Sequence, residues 1–352
     1  MDGRAQEWLD AGGFFAWVAP KGTSRPRQLQ IFHAEFGDPE APLALLLHGF
    51  PTSSVDWYDV AGELSKDHRV GVLDFPGFGF SDKPKGGGYS LQRDCTLVEY
   101  YLDEVLGERE GVVIAHDRGD SVALVLAARC AASEIPFVLR HLVLSNGNMF
   151  LPLSNLTNFQ KLVLDPESAP HVLEVLTPEV LASGVGEATF TPPRSLTDPA
   201  IAALVHTFVV NDGMAVIHET IQYLVERSEN EQKWLEALAG SPVPTTLIWG
   251  LYDTVSPLRV AAYIWDEYLA TKPGDNEFWL LSQANHYLQH DQPLEFLTVL
   301  SAALSGQSPK VPGPVSTAPG APIMVDRSRT AMPSAGEVLD GSGTGPAGSR
   351  AG

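Results

Sequence analysis

One stretch of the sequence constrains the fold more than any other. An apolar run, Gly111–Ala115, leads into His116-Asp117-Arg118-Gly119 and then into a helical run from Val122 to Arg129. A short apolar run that gives way to helical periodicity is typical of a buried strand feeding a helix. Small residues flank the acid in a small-x-acid-x-small pattern, which permits a sharp bend with Asp117 at its tip. A carboxylate held there attacks a carbon bearing a leaving group and forms an ester, so the stretch predicts an aspartate nucleophile.

The rest of the chain alternates apolar runs of strand length with helical runs. Eight strands are predicted, at residues 14–18, 29–36, 43–47, 70–73, 111–116, 139–144, 245–249 and 277–281. A turn at Pro20-Lys21-Gly22 would join the first two as a hairpin. Helices are predicted over 57–64, 91–106 and 293–304. This alternation predicts an α/β fold with a doubly wound, mostly parallel eight-stranded sheet, whose ligands bind at the carboxyl ends of the strands.

The pattern changes twice along the chain. Residues 149–240 read as helices and polar loops, which predicts a helical cap, or lid, inserted after strand 6 of the sheet. The core is then split into residues 1–148 and 241–304. From Ser305 to Gly352 the chain is rich in Gly, Pro, Ser and Thr, a composition that cannot bury a core, so we expect a disordered tail.

Composition narrows the class of partner. The 352 residues are 44% hydrophobic, enough for one large α/β domain with a cap. Net charge is −20 with scattered acidic residues, so we expect no nucleic acid and no membrane as partner, only a small-molecule substrate. Cys95 and Cys130 are too few for a disulfide framework or a thiolate metal site, and no signal peptide is evident, which favours the cytoplasm. No cofactor is expected, and the oligomeric state is left open.

Two later loops supply partners for the nucleophile. Asp253 follows the predicted strand 245–249, and His286 follows the last strand. In the mechanism that this order predicts, Asp117 displaces the leaving group, and His286, oriented by Asp253, activates the water that hydrolyses the ester. The backbone amides of Phe50 and Arg118 are placed to form an oxyanion hole.

Three further side chains are candidates for substrate binding. Tyr223, on an amphipathic cap helix, would either hydrogen-bond a substrate oxygen or only pack. Trp57 follows the loop after the third strand, and Asn146 would orient the histidine, bind a ligand or serve as a turn residue.

Two charged residues close to Asp117 and one loop histidine are the remaining residues considered for the site. Arg118 is interpreted as either a contact for an anionic substrate or half of an ion pair. Asp120 is expected to bond the backbone or Arg118, and His48 is expected to hydrogen-bond its own turn.

Together, His48-Gly49-Phe50-Pro51, the acid elbow, Asp253 and His286 resemble the epoxide hydrolase and haloalkane dehalogenase branch of the α/β-hydrolases, over residues 43–304. The resemblance implies an alkyl-enzyme ester on Asp117. Dehalogenases usually have tryptophan where this chain has Arg118, and often asparagine where it has Phe50. Fluoroacetate dehalogenases have a second arginine where it has Ser121. Tyr223 matches a lid tyrosine of epoxide hydrolases, whose second lid tyrosine has no match.

The leading hypothesis is therefore an epoxide hydrolase. The alternatives are a haloalkane or haloacid dehalogenase and, in another class, a hydrolase-fold binding module without turnover.

Overall fold

A ten-stranded sheet forms the centre of the molecule in the computed structural model, which describes residues 3–18 and 28–330. The strands are β1 (Gly12–Val18), β2 (Gln28–Phe36), β3 (Leu43–Leu47), β4 (Arg69–Leu73), β5 (Glu110–His116), β6 (Val138–Ser145), β7 (Thr245–Gly250), β8 (Gly274–Leu281), β9 (Gly313–Pro314) and β10 (Ile323–Thr330). Their order across the sheet is β1-β2-β4-β3-β5-β6-β7-β8-β10-β9.

The middle of the sheet is parallel and fully covered. β4, β3, β5, β6, β7 and β8 pair in parallel, and β1 and β2 join antiparallel at one edge. Every residue of β3 and β7 is buried, as expected for strands packed under helices on both faces. The predicted doubly wound α/β sheet is confirmed, and its parallel strands point their carboxyl ends to one edge.

Thirteen α-helices accompany the strands in the described ranges. They are α1 (Gly3–Ala11), α2 (Tyr58–Leu64), α3 (Leu91–Tyr100), α4 (Arg118–Ala131), α5 (Asn158–Leu164), α6 (Ala169–Val175), α7 (Pro178–Thr189), α8 (Pro199–Val209), α9 (Ile217–Thr220), α10 (Tyr223–Gly240), α11 (Leu258–Ile264), α12 (Leu288–Asp291) and α13 (Pro293–Leu304). Short 3₁₀ segments lie at Ser54–Trp57, Leu151–Leu153 and Val210–Val216, and π-helical turns at Tyr101–Val105 and Trp265–Leu269.

Helices α5 to α10 lie between β6 and β7 and form what we call the helical insertion, residues 149–240. Its stretch Pro199–Thr220 is long and apolar enough to cross a membrane by length and composition, but 56% of the apolar window is buried within the protein. The stretch also breaks at Asn211 and Asp212, whose φ angles of 56° and 62° are left-handed. The burial of this stretch within the helical insertion therefore accounts for the apolar character of the stretch.

The structure differs from the predicted tail between residues 305 and 330. Strand β10 pairs antiparallel with β8 and buries Met324, while the Asn276 side chain donates to Ser328 Oγ at 2.9 Å. The β-prone run Ile323-Met324-Val325 is too short to alter the average composition of a Gly- and Pro-rich region, which is why the prediction failed there. Residues 331–352 and the turn predicted at residues 20–22 lie outside the described residues.

Candidate active site

Asp117 occupies a sharp bend between β5 and α4. Its φ of 51° and ψ of −111° place it in a strained region that non-glycine residues rarely adopt. The bend is held because its N–H donates to Ser145 O at 3.0 Å and its carbonyl accepts from Asp120 N at 3.1 Å. A Cβ at Gly119 would lie 2.4 Å from Leu47 O, so only glycine permits this close approach to β3. The predicted elbow is present.

The two carboxylate oxygens of Asp117 have different surroundings. Oδ2 accepts a hydrogen bond from Phe50 N at 2.9 Å, and the Arg118 amide also hydrogen-bonds this carboxylate. Oδ1 lies 4.0 Å from His286 Nε2. The Phe50 amide thus holds Oδ2, the Arg118 amide bonds the same carboxylate, and Oδ1 faces the histidine.

His286 is held at its other ring nitrogen by Asp253. Nδ1 is 3.0 Å from Asp253 Oδ2, while Oδ1 of the same carboxylate accepts from the amides of Val255 and Ser256, each at 2.8 Å. A hydrogen on Nδ1 leaves Nε2 directed at Asp117. Asp117, Asp253 and His286 come from three loops at the carboxyl edge of the sheet, and the structure brings them together.

For both His286 and Asp117, burial and neighbouring charges shift the pKa in opposite directions. Burial lowers the pKa of His286, but the Asp253 carboxylate, through its charge and hydrogen bond, and then the charge of Asp117 outweigh it and raise the pKa to about 9. Burial raises the pKa of Asp117, opposed by the charge of His286 and the amides of Phe50 and Arg118. The site is therefore a coupled carboxylate–imidazole pair.

The backbone of His286 is anchored by two side chains. Asn146 Nδ2 donates to Asn285 O at 2.8 Å and to His286 O at 2.7 Å, and its Oδ1 accepts from Gly250 N at 2.9 Å. His116 Nε2 lies 2.8 Å from the same carbonyl of His286. Asn146 is fully buried and does not line the substrate-sized cavity described below. Of the roles considered for Asn146, these contacts favour the positioning one, because it holds the loop that carries His286; substrate binding by Asn146 stays a prediction.

Arg118 turns its side chain away from any substrate. The guanidinium is ion-paired with the buried Asp94 carboxylate and lies over the rings of Phe75, Phe78 and Tyr223, with its Cζ 4.9 to 5.4 Å from the ring centroids. Of the two interpretations of Arg118, the ion pair is found. The place of the dehalogenase tryptophan is thus filled by a cation that pairs with one acid and lies against three aromatic faces.

Tyr223 lies beside the oxyanion amides. Its ring centroid is 5.7 Å from that of Phe50, and its buried hydroxyl has no hydrogen-bond partner within the described part of the chain. Burial, then the charge of Asp117, raises the pKa of Tyr223 well above its usual range. The side chain is a protonated donor next to the elbow, although it is 98% buried and does not line the cavity in this conformation.

Three other predicted residues make structural contacts. Trp57 is fully buried, packs on Phe296 at 6.1 Å between ring centroids and does not line the cavity, so this geometry favours a packing role, and its substrate contact stays a prediction. Asp120 accepts from Ser145 N at 3.2 Å and bonds the backbone rather than Arg118. His48 bonds Gly49 O through Nδ1 at 2.8 Å and accepts from Phe75 N at 3.1 Å, as expected for a turn histidine.

A cavity of about 240 Å³ opens beside His286. Phe50 and Pro51 from the core, helices α5 and α7 from the insertion, and Val255 line it with mostly apolar atoms. A larger cavity of about 600 Å³, lined by Tyr89, Pro170, His218 and others, contains none of the three clustered residues. Within residues 3–18 and 28–330, no group of three His, Cys, Asp or Glu is arranged to hold a metal ion.

Several contributors to the site were not identified from the sequence. Asp94, which pairs with Arg118, comes from a part of the chain with no motif, and His116, which holds His286, stands in the elbow motif, where no role was assigned to it. Arg227 is fully buried, donates Nε to Asn148 O at 2.7 Å, and joins the insertion to Ser121 on α4. Arg227 lies one helical turn after Tyr223, and this spacing was the only signal in the sequence that the two side chains share one face of α10.

Comparison with known proteins identifies the family to which this fold belongs. A family model described as the alpha/beta hydrolase fold matches residues 42–293. The mesoderm-specific transcript protein of Mus musculus is 33% identical over 82% of this chain and 84% of its own length, and epoxide hydrolase 4 of Mus musculus is 25% identical over 75% and 73%. The crystal structure of haloalkane dehalogenase DbeA from Bradyrhizobium elkani superposes with a TM-score of 0.67, at 20% identity, over 84% of this chain and 98% of that one. With more than half of its length matched by the family model, the chain belongs to the α/β-hydrolase fold family.

Proposed function

We propose that the protein is an epoxide hydrolase-like enzyme in which Asp117 forms an alkyl ester with its substrate. In the family to which the chain belongs, the elbow residue is the nucleophile, and here that residue is a carboxylate. The name of epoxide hydrolase 4, one of its relatives, agrees with this assignment.

One observation carries the proposal: the nucleophile's own Oδ2 occupies the oxyanion hole, at 2.9 Å from Phe50 N. In acyl transfer those amides would have to receive the carbonyl oxygen of the substrate. With Oδ2 already there, Oδ1 is left to attack a saturated carbon. This arrangement favours alkyl transfer over ester cleavage by direct acylation.

In the first step, Oδ1 bonds to the electrophilic carbon and the epoxide C–O bond breaks, leaving its electron pair on oxygen. Tyr223, kept protonated by burial, donates its proton to that oxygen. The helical insertion that carries Tyr223 would act as the cap that excludes water at this stage. No tryptophan, asparagine or arginine lines the described cavity to hold a departing halide, which favours the epoxide over the dehalogenase alternative.

In the second step, His286 Nε2 takes a proton from water, which attacks Cγ of the ester. Esterification removes the charge of Asp117, which is one of the groups that raise the pKa of His286. The pKa of His286 therefore falls, and more of the imidazole is in the neutral form that can accept a proton. Negative charge then develops on Oδ2, to which the Phe50 amide already donates, and the Arg118 amide bonds the same carboxyl group. Collapse releases the diol as His286 gives its proton to the leaving alkoxide oxygen. The second proton of the water, left on the Asp117 carboxyl, then passes to the Tyr223 phenolate, which restores both groups.

Trapping the ester tests the proposal. The His286→Gln protein, incubated with a panel of terminal epoxides and haloalkanes, should accumulate a mass increment equal to the whole epoxide on the peptide that carries Asp117. Asp117→Asn protein is the matched control and should gain nothing. Halide release with an alkyl increment would instead identify a dehalogenase. Absence of both adduct and turnover, with tight ligand binding by the wild-type protein, would identify a binding module.

A further inference from the structure

The cavity beside His286 is lined by a side-chain amide that the proposed mechanism does not use. Gln160 lines this cavity and is 92% buried, in a wall otherwise made largely of apolar side chains such as Phe159, Leu181 and Val185. A buried amide that faces an apolar cavity needs a hydrogen-bond partner, because leaving it unpaired costs free energy.

The orientation of the Gln160 amide is fixed by its neighbour. Thr157 N donates to Gln160 Oε1 at 2.8 Å, and Gln160 N donates in return to Thr157 Oγ1 at 3.1 Å, which together form a capping box at the start of α5. A backbone N–H can only donate, so the side-chain atom facing it must be oxygen. The NH₂ group is thereby directed away from Thr157, and it makes no hydrogen bond to any residue in the described ranges.

The other polar groups on this wall are already engaged. The Thr189 hydroxyl donates to Val185 O, and Thr157 Oγ1 accepts from Gln160 N. The Tyr287 hydroxyl hydrogen-bonds the Thr52 side chain, and His286 is held by Asp253. Among the described residues that line the cavity, none is Lys, Arg, Asp or Glu. The cavity therefore suits an uncharged molecule. Gln160 offers that molecule an amide donor that the capping box already holds in one orientation, so little side-chain entropy is lost on binding.

We propose that Gln160 Nε2 is a specificity subsite that donates a hydrogen bond to a carbonyl or ether oxygen on the substrate, remote from the carbon attacked by Asp117. The inference rests on the proposed function, and it names the substrate class: an uncharged, mostly apolar epoxide that carries one further hydrogen-bond acceptor. A plain hydrocarbon epoxide fits the same cavity but leaves the amide unpaired.

Two variants separate this role from the capping role. Gln160→Glu keeps an oxygen for Thr157 N, as glutamate does in capping boxes, but removes the NH₂ donor. Gln160→Met removes both. Gln232→Glu, at an exposed site on α10, makes the same charge change away from the cavity and is the matched control.

The kinetic measurement compares a terminal epoxyalkane with a series in which one methylene is replaced by a carbonyl at successive chain positions. In the wild-type and Gln232→Glu proteins, one ketone isomer should exceed the alkane in kcat/KM by about three- to tenfold, the value of one neutral hydrogen bond, mainly through KM. Gln160→Glu and Gln160→Met should both abolish that ratio. No preferred isomer in the wild type, or a preference kept by Gln160→Glu, would overturn the subsite.

A binding arm keeps the test independent of turnover. Calorimetry with Asp117→Asn protein compares unreactive ketones with alkanes of equal length, in the presence and absence of Gln160→Glu. The ketone preference should again depend on Gln160. If the wild type hydrolyses no epoxide but this dependence is observed, the proposed function fails and the subsite stands; if ketone and alkane bind equally, the subsite fails.

Discussion

At the scale of single residues, the site is governed by the interaction of one histidine with two carboxylates. Asp253 orients His286 at 3.0 Å, and Asp117 lies 4.0 Å from its other nitrogen. In this buried setting the imidazolium stabilises both carboxylates, which repel each other, and removing the charge of Asp117 by esterification changes the pKa of His286. The chemistry proposed here uses that change, because the base becomes available only after the nucleophile has reacted.

Tyr223→Phe tests the proton donor. Removing the hydroxyl should slow ester formation from an epoxide by about a hundredfold, within the range of general acid catalysis, because the leaving oxygen then departs unprotonated. Hydrolysis of the ester should be unaffected, since Tyr223 takes no part in it. Rapid-quench single turnovers measure the two steps separately, and an equal loss in both steps would assign Tyr223 to packing alone.

His286 should make stability depend on pH in a defined direction. Its pKa is raised to about 9 in the folded protein, above the 6.5 of an unfolded chain, so its contribution is complete below about pH 6.5 and is lost as pH rises through 9. The free energy of unfolding of wild type relative to His286→Gln should fall by roughly 3 kcal/mol between about pH 6 and pH 10. Denaturant titrations across this range measure it, and parallel curves would contradict the coupling.

Sequence patterns predicted the residues that stand directly after strands better than those that support them. Asp117, Asp253 and His286 follow strand ends, where fold class alone places them together. Trp57 and Asn146 also lie in loops at that edge, but side-chain direction inside a loop depends on contacts with distant parts of the chain. Asn146 turned toward the backbone of His286, and nothing local to its sequence indicates this.

At the scale of elements, the central question is how the helical insertion is held over the core. Lys83, in the loop after β4, donates Nζ to Gly79 O and to Thr207 O and Val210 O at 3.5 and 2.7 Å, so it joins the core to the carboxyl end of α8. Arg227 makes a similar connection from α10 to Ser121. Buried cations that bond backbone carbonyls fix position in a way that apolar contacts do not.

Lys83→Met should therefore loosen the insertion. Loss of the buried ammonium leaves three carbonyls with one partner fewer, at a cost of about 2 kcal/mol, and should speed amide exchange in α8 and in residues 210–213. Lys85→Met is the control, because the Lys85–Asp212 pair at 3.2 Å is 69% and 71% exposed and worth little. Hydrogen exchange with mass detection compares the two; similar effects from both variants would argue against the buried contact.

At the scale of the whole molecule, the α/β alternation was sufficient to predict the sheet, its parallel centre and the position of the insertion. The lengths of the apolar runs and their spacing carry that information locally. Strand β10 was missed because it pairs with β8, and composition does not reveal that β8 offers a free edge for this pairing. The helix α1 was missed as well, since only Ala5 and Trp8 of its residues are buried and its apolar periodicity is slight.

The contribution of β10 can be measured by paired truncations. A chain ending at Ser305 exposes the edge of β8 and loses the burial of Met324 and the Asn276–Ser328 hydrogen bond, whereas a chain ending at Thr330 keeps them. The shorter chain should unfold several degrees lower and aggregate more readily through its free edge. Thermal unfolding and light scattering of the two proteins give the result, and equal melting temperatures would assign β10 no role in stability.

The central claim is that Asp117 becomes an ester, and a single turnover in oxygen-18 water tests it most directly. Enzyme in excess over an epoxide that it hydrolyses should incorporate one oxygen-18 atom into the carboxylate of Asp117, seen by mass analysis of its peptide. The diol of that first turnover should carry unlabelled oxygen from Asp117. Label found directly in the diol, with an unlabelled Asp117, would mean that water attacks the substrate itself and would contradict the account.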